Sequence, residues 1–449
     1  SATAFSVRSG ADLECGDSFF TLMDAYKDGK VTEADLDRAV FRILKARFEL
    51  GEMDPEESVS WNSIPRELLA SDQHHELALK MARETMTLLQ NRNNALPLKK
   101  DAKYAVVGPN AADSLVLWGN YNGVPRKTIT VLEGIQAKVG AENVVYAKGC
   151  EIAAKAVDEG RYSETEGNYH DEALSRTSGA ETASATDLSM FDDVDAIIFV
   201  GGLSPKLEAA EMRVNFKGFK GGDRTSIELP ETQRAYIQEL KKTGKPIIFV
   251  HLSGSAVAMA PEAEACDAIL QGWYAGQAGG EAVADVLFGD YNPAGRLPVT
   301  FYASDADLPD FGDYDMPGHT YRYFKGKPLF PFGHGLSFSK FKYRRAKYRD
   351  DVLRIPVKNV SKIDGDEVVQ VYIRKADDVD GPIMSLRGFK RVPVKAGKKA
   401  VVEIPMSAEN IDLFNPETGK MEAAPGKYIV YYGGTSDITK LRKLKITIR

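Results

Sequence analysis

The sequence predicts an α/β domain built on a mainly parallel sheet, followed by a separate all-β domain. Two observations carry this reading. Between residues 104 and 274, continuous apolar runs alternate with helical segments, the pattern of strands whose faces are both covered. From about Lys342 onward no helix intervenes, and short strands with period-2 alternation follow one another. At 449 residues the chain is too long for one ordinary core, and its length suggests roughly three domains.

The first segment reads as the tail of a larger domain. Thr3–Val7 is expected as a short buried strand, followed by a loop, Gly10–Gly16. Helices follow over Phe19–Tyr26 and Glu33–Leu50. Leu36, Val40, Ile43, Leu44 and Phe48 keep helical spacing in the second, and Thr32 with Asp35 approximates a capping box. One strand and two helices bury little core alone. Asp24–Gly29 followed by Asp35 partly mimics a calcium loop, but Tyr26 takes the third ligand position and a short Asp ends the loop. An Asp-Gly turn before a helix cap accounts for it, and no metal is expected. Met53–Arg66, polar with two prolines, reads as a linker, and a long amphipathic helix is expected over Leu68–Gln90. His74 and His75 are adjacent and point to different sides of that helix, which argues against a metal pair.

Tyr104–Pro109, Val144–Ala147, Ala196–Val200, Ile247–Leu252 and Ala268–Tyr274 are the five expected strands of the α/β domain. The turn Gly276–Gly280 opens a helix over Glu281–Phe288 and could hold an anion or a hydroxyl-rich ligand. It lacks the Lys-Ser/Thr of a phosphate loop and the dinucleotide spacing, so no nucleotide cofactor is expected. Beyond Pro328–Gly335, strands are expected over Leu353–Lys358, Glu367–Arg374, Ala400–Pro405 and Lys427–Tyr432. About seven strands in such a length suggest an immunoglobulin-like or fibronectin-like sandwich.

Composition narrows the function class. The 43% apolar and 27% charged fractions are those of a soluble globular protein. A net charge of −6, with no basic stripe interleaved with aromatics, argues against nucleic-acid binding. No run approaches the ~18 apolar residues of a membrane span. Cys15, Cys150 and Cys266 are too few and too dispersed for a disulfide framework or a zinc site. The opening residues lack the basic start and apolar core of a signal peptide, and the compartment stays open.

The stretch with most chemistry is Gly201–Gln233, a long loop leaving the carboxyl end of the third expected strand. Such loops are where α/β folds place their sites. It carries Glu208, Glu211, Asp223 and Arg224 among glycines and aromatics. Composition alone favours a solvated loop, since acidic loop residues usually face water.

Several ordered motifs shift that balance. Gly10–Gly16 (GADLECG), Leu88–Leu98 (LLQNRNNALPL), Leu117–Gly123 (LWGNYNG), Gly272–Phe301 (GWYAGQAGGEAVADVLFGDYNPAGRLPVTF), Tyr321–Phe338 (YRYFKGKPLFPFGHGLSF) and Ser385–Phe389 (SLRGF) together resemble glycoside hydrolase family 3. The likeness is to the C-terminal portion of the bacterial β-xylosidase and β-glucosidase branch, over essentially the whole chain. It implies the terminal fragment of a (β/α)8 barrel in residues 1–52, a linker over 53–66 and an α/β sandwich domain over 67–310. A connector over 311–341 and a fibronectin type III-like domain over 342–449 complete the expected organisation.

The resemblance also implies a retaining mechanism in which a carboxylate nucleophile forms a glycosyl-enzyme and a second carboxyl is acid, then base. The acid/base comes from a loop of the second domain, and Glu208 in Lys206-Leu207-Glu208-Ala209 is the position carried over. Glu211 is the reserve candidate. Relatives often have another acid where this chain has Ala210. Nothing matches Asp12 or Glu14 to the nucleophile motif, and a full barrel takes about 250 residues. The chain alone is therefore expected to lack the nucleophile, with the barrel supplied by another chain or segment. The implied substrates are β-linked oligosaccharides or aryl glycosides cut at the non-reducing end, xylosides ahead of glucosides, with no cofactor. A periplasmic or secreted location is favoured. The alternative is a non-catalytic carbohydrate-binding or scaffolding protein built from the family's outer domains.

Overall fold

The computed structural model describes residues 2–155, 187–208, 214–220, 223–408, 411–415 and 417–448. Two compact units divide between His74 and His75.

In the first unit, α1 (Ala2–Arg8), α2 (Leu22–Lys27) and α3 (Glu33–Glu49) accompany a small core of Ala4, Val7, Ala25 and Val31. The expected strand at Thr3–Val7 is thus a helix. Ala4 and Val7 stand three residues apart on one helical face. No strand among the described residues of this unit could pair with an extended segment, which would leave its peptide groups open. Thr32 does cap α3: its hydroxyl accepts from Asp35 N at 3.3 Å while Asp35 Oδ2 accepts from Thr32 N at 3.1 Å. Phe5, Leu13, Phe20 and Phe41 stay largely exposed.

The expected helix over Leu68–Gln90 is shorter, α4 (Asp72–Thr85), and its tail is instead β1 (Thr87–Asn91). Leu88 packs in the core on one sheet face and Leu89 in the core on the other. Only a period of two sends neighbours to opposite faces, so burial overrides the local helical pattern.

The sheet is completed by β2 (Tyr104–Val107), β3 (Val144–Ala147) and β4 (Ala196–Gly202), then β7 (Ile247–Leu252) and β8 (Ala268–Gln271). Between them, β5 (Phe219–Lys220) and β6 (Asp223–Arg224) make a small hairpin off the sheet. The strand order is β1-β8-β7-β4-β2-β3, parallel throughout except that β1 runs antiparallel to β8. α5 (Val131–Val139) and the helix Gly279–Leu287 cover one face, and the helices Glu231–Lys241 and Ala260–Ala265 the other. From β2 the chain goes first to β3 on one side, then to β4 on the other. That reversal opens a crevice at the carboxyl ends of β2 and β4, the place such sheets bind ligands.

The all-β domain is a sandwich. β9 (Phe341–Tyr343), β10 (Lys347–Arg349) and β11 (Val352–Asn359) form one sheet with β14 (Lys399–Pro405). β12 (Gly365–Lys375) and β13 (Ser385–Val394) form the other with β17 (Gly426–Gly433) and β18 (Arg442–Ile448), while β15 (Asp412–Asn415) and β16 (Lys420–Ala423) pair apart. Leu353, Ile355, Val357, Val371 and Val430 meet in its core. All four strands expected here lie within observed ones. The sandwich is tied to the α/β domain by polar bonds: Arg296 to Glu367 at 3.2 Å, Arg391 to Glu84 at 3.2 Å, and Gln370 Nε2 to the Gly333 carbonyl at 3.0 Å.

Candidate active site

The carboxyl end of β4 sets the site. Gly202 has φ +124°, and a Cβ there would sit 2.1 Å from the Leu252 carbonyl oxygen, so only glycine fits this close strand crossing. Gln233 locks both ends of the loop together. Its Oε1 accepts from Gly202 N and its Nε2 donates to Gly202 O, both at 2.8 Å, and it is wholly buried. The chain then makes one helical turn, Pro205–Glu208, with the Ser204 carbonyl accepting from Leu207 N and Glu208 N at 3.0 Å each. Buried Leu207 anchors the turn and leaves Glu208 at its rim.

Three donors hold the Glu208 carboxylate. Gly254 N donates to Oε2 at 2.8 Å, Tyr274 OH donates to the same oxygen, and Ser255 Oγ donates to Oε1. Gly254 and Ser255 follow β7, and Tyr274 follows β8. Burial, then the Glu208 charge, push the Tyr274 phenol well above its usual range, so it keeps its proton and stays a donor. Tyr274 is not the end of a strand, as the sequence suggests: β8 stops at Gln271, and Trp273 takes φ +57°, turning the chain out of the sheet.

Asn120, Glu208, Asp223, Arg224, Ser255 and Tyr274 line a cavity of about 420 Å³. Arg224 donates Nη2 to the Ala256 carbonyl at 2.9 Å, while its Nη1 is buried without a partner. Burial pushes the guanidinium down, and the charge of Glu208 opposes this. Arg224 also borders a neighbouring cavity of about 410 Å³ with Lys217, Phe219 and Arg234. A carboxyl group set by three donors beside an open cavity can exchange a proton with a bound oxygen.

The other sequence candidates fare differently. Glu211 lies outside the described residues. Glu14 accepts from Ser18 N at 3.0 Å and Asp12 pairs with Arg42 at 3.2 Å, both local structural roles. Asp35, the last position of the calcium-like loop, serves the Thr32 cap, and Asp28 pairs with Lys30 at 2.8 Å. The described residues contain no group of three or more His, Cys, Asp or Glu side chains placed to hold a metal. In the Gly276–Gly280 turn three amides are already engaged: Gly276 N donates to the Leu117 carbonyl at 2.7 Å, Gly279 N to the Gly276 carbonyl at 2.9 Å and Gly280 N to the Ile129 carbonyl at 3.1 Å. Gly254, Ser255 and Tyr274 are partners of Glu208 that sequence reasoning does not single out. Their signal is positional: Gly254 and Ser255 come just after the expected strand Ile247–Leu252, and Tyr274 closes the expected strand Ala268–Tyr274.

Fold and site define an α/β domain that presents a carboxyl group from the carboxyl end of its sheet, fused to a fibronectin-like sandwich. Residues 86–338 match the glycosyl hydrolase family 3 C-terminal domain, and residues 367–436 match the fibronectin type III-like domain. The chain belongs to glycoside hydrolase family 3. It is 37% identical to the xylan 1,4-beta-xylosidase of Xylanibacter ruminicola, over 99% of this chain and 66% of that protein. It is 32% identical to the periplasmic beta-glucosidase of Salmonella typhimurium, over 96% of this chain and 58% of that one. A solved β-glucosidase from Erythrobacter marinus superposes with a TM-score of 0.79 at 30% identity, covering 100% of this chain and 60% of its own. The chain thus spans 58% to 66% of the length of these three proteins.

Proposed function

We propose that this chain is the acid/base-bearing part of a retaining, exo-acting β-glycosidase, with β-xylosides its preferred substrates. Glu208 protonates the glycosidic oxygen as the bond to the sugar breaks and a carboxylate nucleophile takes the anomeric carbon. It then removes a proton from the water that releases the sugar. The observation that carries this reading is the place of Glu208: a loop at the topological switch, fixed by three donors, open to the cavity. The nucleophile lies on a barrel outside this chain, and residues 1–52 belong with that barrel. The apolar side chains exposed there, Phe5, Phe20 and Phe41 among them, support this, because a soluble protein rarely leaves such a surface uncovered. The name and 37% identity of the Xylanibacter ruminicola relative support xylose over glucose.

The test is Glu208→Gln in protein that carries the barrel. The rate on alkyl or oligosaccharide xylosides should fall by about 10²–10⁴-fold, while dinitrophenyl xyloside, whose leaving group needs no proton, should lose far less at the glycosylation step. An equal loss on both substrates would refute the acid role. A larger rate on glucosides than on xylosides would refute the sugar preference.

A further inference from the structure

A chain of buried polar groups runs beneath the cavity. His251 on β7 and Gln271 on β8 face each other in register, and both are wholly buried. His251 Nδ1 bonds Gln271 Oε1. Gln271 Nε2 donates at 3.2 Å to the Ser253 carbonyl and at 3.2 Å to Ser253 Oγ. Ser253 Oγ donates to the Ser255 carbonyl at 2.8 Å, and Ser255 Oγ donates to Glu208.

Every donor in this chain points one way. The Ser253 carbonyl can only accept, so the Gln271 amide must turn its NH2 toward it and its oxygen toward His251. His251 is therefore the Nδ1–H tautomer, and its other nitrogen, Nε2, is buried without a partner. Burial pushes the imidazole down to about 4, which keeps it neutral. Burial makes each of these groups costly unless it is hydrogen-bonded, so the chain is fixed by its own bonds, while the unpartnered Nε2 remains a cost to the fold. What the chain touches is the Ser253–Ser255 turn, whose Gly254 amide and Ser255 hydroxyl are two of the three donors on Glu208.

We propose that His251, Gln271 and Ser253 are positioning residues that set the Ser253–Ser255 turn and, through it, the orientation of the Glu208 carboxyl. The catalytic half of this proposal rests on the acid/base reading of Glu208, and the structural half does not.

The two halves can be tested apart. Hydrogen exchange of the Gly254 and Ser255 amides is followed in His251→Leu, Gln271→Leu and Ser253→Ala, with His251→Asn as the conservative variant, since the Asn amide can replace Nδ1–H. Exchange in the turn should quicken by about tenfold in the first three and return toward the parent in His251→Asn, while the strands β4 and β8 stay protected. Should a leucine variant lose the sheet, Ser253→Ala, which lies on the turn itself, carries the test. Unchanged exchange at Gly254 and Ser255 in a folded variant overturns the proposal, as does failure of His251→Asn to restore protection that a folded His251→Leu has lost. In protein carrying the barrel, the same variants should lower kcat on poor leaving groups by about tenfold with KM little changed, and spare dinitrophenyl xyloside. If Glu208→Gln proves silent while exchange in the turn responds as expected, the acid/base reading fails and the positioning network stands. If Glu208→Gln slows the enzyme and the turn does not respond, the network fails alone.

Discussion

Tyr274 OH donates to Glu208 Oε2, the oxygen that also accepts the Gly254 amide at 2.8 Å. Two strands of one sheet thus converge on a single atom of a residue carried by a third.

Removing one of those donors should weaken the site without unfolding the domain. Tyr274→Phe keeps the ring and loses the hydroxyl, and Ser255→Ala loses the bond to the other oxygen. In protein that carries the barrel, and on the proposed acid/base role of Glu208, each should lower kcat/KM on poor leaving groups by roughly tenfold, the worth of one charge-assisted hydrogen bond. The double variant should lose more than either alone, and steady-state kinetics on alkyl and dinitrophenyl xylosides checks both.

Gly202→Ala should destabilise the α/β domain by at least about 2 kcal/mol, because the new methyl meets the Leu252 carbonyl oxygen at 2.1 Å on a backbone that L residues rarely adopt. Denaturant unfolding measures it. A midpoint equal to the parent's would contradict so close a crossing of the two strands.

Arg234 bonds buried Glu262 at 2.8 Å as well as Glu228. Burial pushes the Glu262 carboxyl up, and Arg234 holds it back toward the charged form. Arg234→Ala should cost about 3–5 kcal/mol by stranding that carboxyl, whereas Arg234→Met with Glu262→Leu should recover most of the loss. Equilibrium unfolding of the two variants distinguishes them.

His251 gives stability a pH dependence of known sign. Its imidazole titrates near 4 when folded and near 6.5 when unfolded, so the unfolded chain binds more protons between those values. Stability therefore rises with pH across that window, and this residue alone accounts for roughly 3 kcal/mol of it. Glu208 and Arg224 are the charged groups that act on it, with opposite signs. His251→Asn should flatten the parent's curve between pH 4 and 6.5, and parallel curves for the two proteins would exclude the effect.

Much of the fold is legible in the order of residues, because strands buried on both faces write themselves as apolar runs, as at 104–107, 196–200 and 247–252. The failures share a cause. Leu88 and Leu89 look helical until the two opposite cores they enter are known, and Thr3–Val7 looks extended although no described strand of its unit could pair with it. Glu208 stands out as an acid in a long loop after a strand. Its holders lie 46 to 66 residues away in sequence and are brought to it by strand order alone. No local pattern announces the φ of +57° at Trp273 that delivers Tyr274.

The Arg296–Glu367 pair bears on where this protein can be cut. Both side chains are nearly dry, at 9% and 6% exposure, and burial pushes Glu367 up while Arg296 opposes it. Severing the chain at the connector would leave each half with a nearly buried charge whose partner lies in the other, beside a Gln370 deprived of the Gly333 carbonyl. The boundary so plain in the residue pattern near 341 is therefore a seam in sequence only. On heating, sandwich and sheet should melt as one cooperative body.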